Sequence, residues 1–230
     1  MKKKSLFLTL LAAIVFIACD RDVVPLPTSI EHFTVSSSKR VKFAKGNLQY
    51  HPASGQWRMA EAQHVYLGDP LYDVDGWEDY FPWNPEGWSI GEWRTLSSGE
   101  WHYLLTFRTN APKKRGLVSI EGINGLALLP DGWKRPSGIL FYADAEDYST
   151  NAYTFEEWAV MEKAGAIFLP AAGHDLGERL EGLGTEGYYW STTAYDDLGA
   201  WNVAFHSSGI GAVYGHNKSH GYSVRLVRED

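Results

Sequence analysis

The chain has 230 residues, which is enough for one large domain or two small ones. Aromatic residues make up 14% of the chain and include ten tryptophans, a content that excludes a largely disordered protein. The formal net charge of −7 argues against nucleic acid or anionic lipid headgroups as the main partners.

The N-terminus has the pattern of an export signal that ends in a cysteine, the only one in the chain. Lysines at positions 2–4 precede an apolar run over residues 6–18, which is short for a transmembrane span and typical of a signal peptide. Phe16-Ile17-Ala18, just before Cys19, resembles a bacterial lipobox. We therefore predict a lipoprotein signal peptide over residues 1–18 and a lipid anchor on Cys19, which would hold the protein in the outer membrane. An ordinary secretory leader is the alternative.

The residues after the cysteine are predicted to be a tether. Residues 19–30 carry Pro25 and Pro27 and show no hydrophobic periodicity. Asp20 and Asp22 resemble the acidic export signal of Bacteroidetes surface lipoproteins, which favours exposure at the cell surface. Residues 31–230 are predicted to form a single domain without disulfides.

Short strands dominate the predicted elements of the first half. Alternating apolar and polar residues predict strands over residues 33–35, 41–43, 48–50 and 56–60, the last two forming a hairpin. A long irregular stretch follows over residues 68–94. This stretch is rich in aromatic residues, namely Trp77, Tyr80, Phe81, Trp83, Trp88 and Trp93. They suggest either a platform that binds sugar rings or packing in the core and loops, and we favour packing.

Two helices are predicted from capping boxes, in which a Ser or Thr precedes a Glu by three residues. One starts with Ser97 and Glu100, the other with Thr154 and Glu157, and the second is expected to end at Gly165. Strands are predicted over residues 117–120, 125–129 and 166–169. A glycine-rich loop over 173–187 is predicted to lead into strands over 188–193, 200–205 and 222–227. Two helices and eight or more strands predict an α+β domain.

No arrangement for catalysis or metal binding is strong in the sequence. His216 and His220 have a spacing that suits metal ligands on a helix, but the glycines beside them favour solvated loop histidines. His174-Asp175 has the composition either of a pair that orients a catalytic water or of a turn, and we favour the turn. An acidic cluster that could bind calcium consists of Asp69, Asp73, Asp75, Glu78 and Asp79. Its residues do not have the spacing of an EF-hand loop. We therefore predict no metal, no cofactor and no catalytic residues.

Several motifs, taken in order, resemble the Fibrobacter succinogenes major paralogous domain family, whose members are common among Bacteroidetes lipoproteins. The motifs are Leu-Pro-Ala-Ala-Gly at 169–173, Gly-Tyr-Tyr-Trp-Ser-Thr-Thr at 187–193, Ala-Trp-Asn-Val-Ala-Phe at 200–205 and Ser-Val-Arg-Leu-Val-Arg at 223–228. The resemblance implies a C-type-lectin-like fold with two main helices packed on short antiparallel sheets, as in the formylglycine-generating enzymes. Trp190 and Arg225 match the framework of the family.

The resemblance also implies a ligand-binding face, because the same C-terminal pattern is similar to the variable proteins of diversity-generating retroelements. Carried onto this chain, that face comprises Tyr195, Asp196, Asp197, Asn202, His206, Ser208, Tyr214, His216, Asn217, Lys218, His220 and Tyr222. The calcium-binding triplets of lectins and the cysteines of the formylglycine-generating enzymes do not occur in the predicted domain. We expect a surface module that is not an enzyme and that binds a glycan or protein ligand. A carbohydrate-active hydrolase using carboxylates of the acidic cluster, or a structural envelope component, is the alternative.

Overall fold

The computed structural model describes residues 31–67, 76–177 and 179–230, and short strands predominate in these ranges. Strand residues make up 41% and helical residues 14%. The strands are β1 (Phe33–Thr34), β2 (Arg40–Phe43), β3 (Leu48–His51), β4 (Gln56–Met59), β5 (Ser89–Ile90), β6 (Trp93–Arg94), β7 (Arg115–Ile120), β8 (Ile123–Leu128), β9 (Ala152–Tyr153), β10 (Ile167–Pro170), β11 (Ala172–Asp175), β12 (Leu180–Leu183), β13 (Glu186–Ala194), β14 (Gly199–His206), β15 (Gly209–Asn217) and β16 (Val227–Glu229).

The α-helices of the described ranges are short. Helix α1 (Ser98–His102) has five residues and continues as a π-helical turn (Tyr103–Phe107), and α2 (Phe155–Lys163) has nine residues. Both predicted capping boxes are confirmed, at Ser97 and Thr154. Two 3₁₀ helices span Ala111–Lys114 and Tyr148–Asn151.

The predicted fold class is therefore wrong. We expected an α+β, C-type-lectin-like fold with two main helices packed on short sheets, but the described part of the chain is mostly β, with several sheets and only two short α-helices. The physical reason is that a capping box starts a helix without setting its length. Helix α1 gives way to the π-helical turn and then to extended backbone at Arg108, while Gly165, with φ of +94°, follows the end of α2.

The strands form three sheets and one hairpin in the described part of the chain. The first sheet has the order β1-β2-β16-β6-β5, the second β10-β8-β7-β9 and the third β12-β11-β13-β14-β15. In the first sheet, β16 near the C-terminus lies between two early strands, with Val227 opposite both Phe43 and Arg94. The strands β3 and β4 pair with each other, which confirms the predicted hairpin.

A shared core joins the three sheets to α1. Side chains from all of them meet in it, including Phe43, Trp101, Leu126, Tyr189 and Phe205. The burial of these large apolar side chains supplies the main favourable free energy of folding, since the chain has no disulfide to contribute.

Arg225 is a buried polar connection between distant parts of the chain, and its side chain is only 1% exposed. Its guanidinium donates to the Asn47 side chain and to the main-chain carbonyls of Ala44, Lys45, Gln63 and Phe168. These bonds satisfy a cation that would otherwise be costly to bury. Arg225 therefore connects the segments around residues 44–47, 63 and 168 from inside the protein.

The region predicted as a glycine-rich loop over 173–187 is instead largely strand. It contains most of β11, all of β12 and the start of β13. Gly173 and Gly182 lie within strands although their φ angles are +65° and +68°. The glycines therefore permit unusual strand geometry here rather than marking a loop.

The C-terminal segment also differs from the predicted strand over 222–227. Tyr222 and Ser223 form only isolated bridges, to Phe81 and Tyr189, and the strand itself begins at Val227. Helices in the described ranges lack the length and apolar character needed to span a bilayer. The predicted signal peptide, Cys19 and the tether lie outside the described residues.

Candidate functional site

Three histidines and two tyrosines form a cluster on the third sheet and the segment after it. We call this cluster the histidine–tyrosine face; it comprises His174, Tyr188, His216, His220 and Tyr222. The Tyr188 and Tyr222 rings stack with centroids 4.9 Å apart, and the His174 ring meets Tyr188 edge-on at 4.9 Å. The imidazole of His216 lies 5.6 Å from Tyr188, and that of His220 lies 6.2 Å from His174.

Strand alternation explains how these side chains meet. On β13, Tyr189 points into the shared core and is fully buried, so Tyr188 and Trp190 point to the opposite side of the sheet. The neighbouring strand places Asn202 opposite Trp190, and β15 places Tyr214 opposite Asn202.

The C-terminal segment then completes the cluster by packing across this side of the sheet. Gly221 pairs with Asp175 and Ser223 with Tyr189. These bridges hold Tyr222 against Trp190, with ring centroids 4.3 Å apart, and bring His220 beside His174.

A hydrogen-bonded pair fixes the tautomer of His216. The side-chain nitrogen of Asn202 lies 2.9 Å from the Tyr214 carbonyl oxygen and 2.9 Å from Nδ1 of His216. Because a carbonyl only accepts, the group facing it is the amide NH₂, which therefore also donates to Nδ1. His216 is thus neutral in this arrangement and carries its proton on Nε2.

The surroundings of His216 and His220 favour the neutral forms of these two side chains. Burial, and then the neighbouring His220 and His174, lower the pKa of His216. Burial and His174 likewise lower the pKa of His220. Both effects disfavour a second positive charge in a small partly buried space.

The tyrosines of the face remain phenols at neutral pH. Burial raises the pKa of Tyr188, and its hydrogen bond to Glu186 adds to the shift. Its hydroxyl donates to Oε2 of Glu186 at 2.8 Å. Burial, Tyr188 and Glu186 also raise the pKa of Tyr222, whose hydroxyl lies 3.2 Å from Nδ1 of His220.

Carboxylates border the face and are already engaged. Glu186 accepts from Tyr188, while Glu181 on β12 pairs with Arg179 and lies 3.8 Å from Nε2 of His174. Among the buried polar atoms without a hydrogen-bond partner, Nδ1 of His174 and Oδ1 of Asn202 lie at this face. Because both atoms are buried, the accessible part of the face consists mainly of ring surfaces and presents no activated nucleophile.

The histidines are not arranged around a common point. In the described ranges, no group of three or more His, Cys, Asp or Glu side chains is placed to hold a metal ion. His216 lies on β15 and His220 in the turn after it, so they do not occupy one helix as the metal interpretation requires.

Of the twelve sequence-predicted site residues, the structure brings five together around the face: Asn202, Tyr214, His216, His220 and Tyr222. Two of these are poorly accessible, since Asn202 is 1% and Tyr222 2% exposed. Their side chains support the accessible rings instead of presenting a surface of their own.

The other predicted residues divide between the two ends of the β14–β15 hairpin. Near its open end, Nζ of Lys218 donates to the carbonyls of Asp196 and Asp197 and lies 4.6 Å from the Trp83 ring. Tyr195 packs edge-on against Trp201, and Asn217 accepts from Ser219. At the tight turn, Nδ1 of His206 lies 2.8 Å from the Ser208 hydroxyl.

Sequence reasoning did not assign His174, Tyr188 or Glu186 to a ligand-binding face. The alternation of Glu186, Tyr188 and Trp190 along β13 is the signal that places Tyr188 and Glu186 on one side of the sheet. For His174, the weighed alternatives were a catalytic pair with Asp175 and a turn. The structure places both residues on β11 and not in a turn, so the favoured turn interpretation is wrong, and Asp175 Oδ1 accepts from the Gly177 amide at 2.7 Å just after the strand.

The aromatic stretch before α1 packs into the protein. Phe81 is 6% exposed, and Trp83, Trp88 and Trp93 pack against the same core cluster. Within the predicted acidic cluster, Asp69, Asp73 and Asp75 lie outside the described residues. Glu78 pairs through its backbone with Tyr50.

A comparison with protein families finds one similarity. The model of a domain of unknown function (DUF8237) matches residues 143–227, which include every residue of the histidine–tyrosine face. No curated protein and no solved structure matches the chain.

Proposed function

We propose that the protein is a lipid-anchored surface module that binds a glycan through the histidine–tyrosine face. The observation that carries the proposal is the grouping of five imidazole and phenol rings on one side of the third sheet. His174, Tyr188, His216 and His220 are partly exposed there. Sugar rings present flat C–H faces and hydroxyls, which suit aromatic surfaces bordered by hydrogen-bonding groups.

Binding fits the chemistry of this face better than turnover does. Its ionisable groups engage one another: Tyr188 donates to Glu186, Glu181 pairs with Arg179, and Nδ1 of His216 accepts from Asn202. A general acid or nucleophile needs a reactive atom directed at the substrate. A recognition surface needs rigid, correctly oriented groups, which this network supplies.

A glycan array tests the proposal. The purified protein is compared with a double variant, His216→Ala with His220→Ala, and with the matched control His102→Ala on α1. We expect a glycan signal that falls at least about tenfold in the double variant, equivalent to about 1.4 kcal/mol of binding free energy. The control should bind as the wild type does.

Two outcomes would contradict the proposal. A glycan signal that persists in the double variant would place the binding site elsewhere on the protein. The absence of any glycan signal, with a folded protein shown by its near-ultraviolet circular dichroism, would refute glycan recognition.

A further inference from the structure

A pocket lies beside the first sheet and shares no residue with the histidine–tyrosine face. Its volume is about 400 Å³, which lies within the range of small-molecule sites. Part of its wall is apolar, formed by Phe33, Phe43, Met59 and Ile167. A pocket of this size and lining accommodates a single aromatic ring or a medium-length alkyl chain.

Two cations at this pocket lack carboxylate partners. Lys45 and Arg228 are exposed and line the pocket, and neither forms an ion pair with any residue that the structure describes. The Arg228 guanidinium lies 5.1 Å from the centroid of the Trp93 ring, a contact that holds its charge at the pocket wall. Lys42 differs, because its ammonium pairs with Glu31 and Asp230 at 3.8 and 3.5 Å.

A third positive charge lies directly behind the wall. Arg225 is buried and donates to the carbonyls of Lys45 and Gln63, both of which line the pocket. Its hydrogen-bond partners are neutral, so its charge is not cancelled by a bonded carboxylate. Burial lowers its pKa to about 10, which leaves it charged at neutral pH.

The pocket is therefore positive although the chain as a whole is negative. The cations at the pocket are Lys42, Lys45, Arg228 and, behind the wall, Arg225, and the carboxylates are Glu31 and Asp230, which pair with Lys42, and Glu162, whose charge acts on Arg225. Four positive charges therefore stand against three negative ones. Charges that act through the low-dielectric protein interior are felt more strongly than charges in water. An anionic group with an apolar body matches both the potential and the wall.

We propose that this pocket binds a small amphipathic carboxylate, either an aromatic acid of one ring or a medium-chain alkanoate. The carboxylate faces Lys45 and Arg228, and the hydrocarbon part packs on Phe43 and Met59. This inference is independent of glycan recognition, because the two sites have no residue in common.

Titration calorimetry with benzoate, phenylacetate and octanoate tests the proposal. Benzamide, phenylacetamide and octanamide serve as neutral matches, and sodium sulfate as an anion without an apolar body. We expect at least one acid to bind one equivalent with a Kd below about 1 mM. Its amide and sulfate should bind at least about tenfold more weakly.

The double variant Lys45→Gln with Arg228→Gln should weaken binding of that acid at least about tenfold. The exposed Lys134→Gln is the matched control and should bind as the wild type does. If the double variant fails to fold, the comparison of acid with amide on the wild type still decides the question. Failure of all three acids to bind, equal binding of acid and amide, equal binding of sulfate, or unchanged binding in a folded double variant would each overturn the proposal.

Discussion

Burial raises the pKa of the Asp79 carboxyl from its ordinary 3.8 to about 7. The side chain is fully buried, and Oδ2 accepts from the Leu67 amide at 2.9 Å, while Oδ1 has no hydrogen-bond partner. The backbone hydrogen bonds from Leu67 and from Asp79 itself lower the pKa but do not offset the loss of water around a carboxylate. The folded protein therefore holds a proton there more tightly than the unfolded chain does.

The sign of the resulting pH dependence follows from proton binding. Between pH 4 and pH 7 the folded state binds more protons at Asp79 than the unfolded state, so the free energy of unfolding falls as pH rises through this window. The contribution is fully present below the unfolded pKa and is lost above about pH 7. At about 1.4 kcal/mol per pKa unit, the loss is on the order of 4 kcal/mol.

Asp79→Asn isolates this contribution, because the amide is a neutral group of nearly the same shape. We expect the variant to match the wild type near pH 4 and to be more stable by a few kcal/mol at pH 8. Urea denaturation at a series of pH values measures the difference. Parallel stability profiles for the two proteins would show that Asp79 ionises normally in the folded state.

Among the elements, β11 contains a glycine that no other residue can replace without a large loss of stability. Gly173 lies between β12 and β13 with φ of +65°, and a Cβ there would collide with the Glu181 carbonyl oxygen on β12. The backbone conformation and the close approach both exclude a side chain. Gly173 therefore allows β11 to carry His174 into the histidine–tyrosine face.

Gly173→Ala should destabilise the protein by about 3 kcal/mol or more, the sum of left-handed strain and the clash. Gly55 is a matched control, because its φ is +67° and nothing lies within 4 Å of the position of an added Cβ. Gly55→Ala should cost only the strain, about 1 kcal/mol. Chemical denaturation of both variants measures the difference, and equal losses would show that the β11–β12 contact is not tight.

Local patterns predicted individual elements well. The capping boxes at Ser97 and Thr154 and the β3–β4 hairpin follow from interactions between residues close in sequence. The glycine-rich segment was misread because glycine has two uses, in turns and in strands that approach closely, and the sequence does not distinguish them.

Such local patterns do not predict which residues far apart in sequence become neighbours in the structure. His174 and His220 are far apart in sequence and become neighbours only because Gly221 pairs with Asp175. The sequence shows each histidine separately, but the register of that bridge depends on how β11, β13 and the C-terminal segment pack together. The same holds for β16, whose partners β2 and β6 lie early in the chain.

At the scale of the whole molecule, the start and end of the domain lie together in the first sheet. β1 pairs with β2, and β2 pairs with β16. The side chains of His32 and Asp230 are 3.0 Å apart. The predicted tether, which would lead to residue 31, would therefore join the domain close to Asp230.

The predicted lipid on Cys19 would have to supply the attachment to the membrane. The net charge of −7 becomes more negative once the three leader lysines are removed, and a negative protein is not drawn to anionic lipids. Two acyl chains, by contrast, anchor a protein stably. We therefore expect the lipid, and not the protein surface, to determine whether the protein is attached to the membrane.

Two variants examined in the native host test this. In Cys19→Ser we expect no incorporation of an alkyne-labelled fatty acid and accumulation of an uncleaved precursor, both seen by mass spectrometry. When residues 20–230 follow an ordinary secretory leader instead, the protein should move from the outer-membrane pellet to the soluble fraction, because it would lack the acyl chains. If Cys19→Ser is cleaved normally and the wild type takes up no labelled fatty acid, the ordinary secretory leader is favoured. If the protein with the exchanged leader stays in the membrane pellet, the domain itself attaches to the membrane.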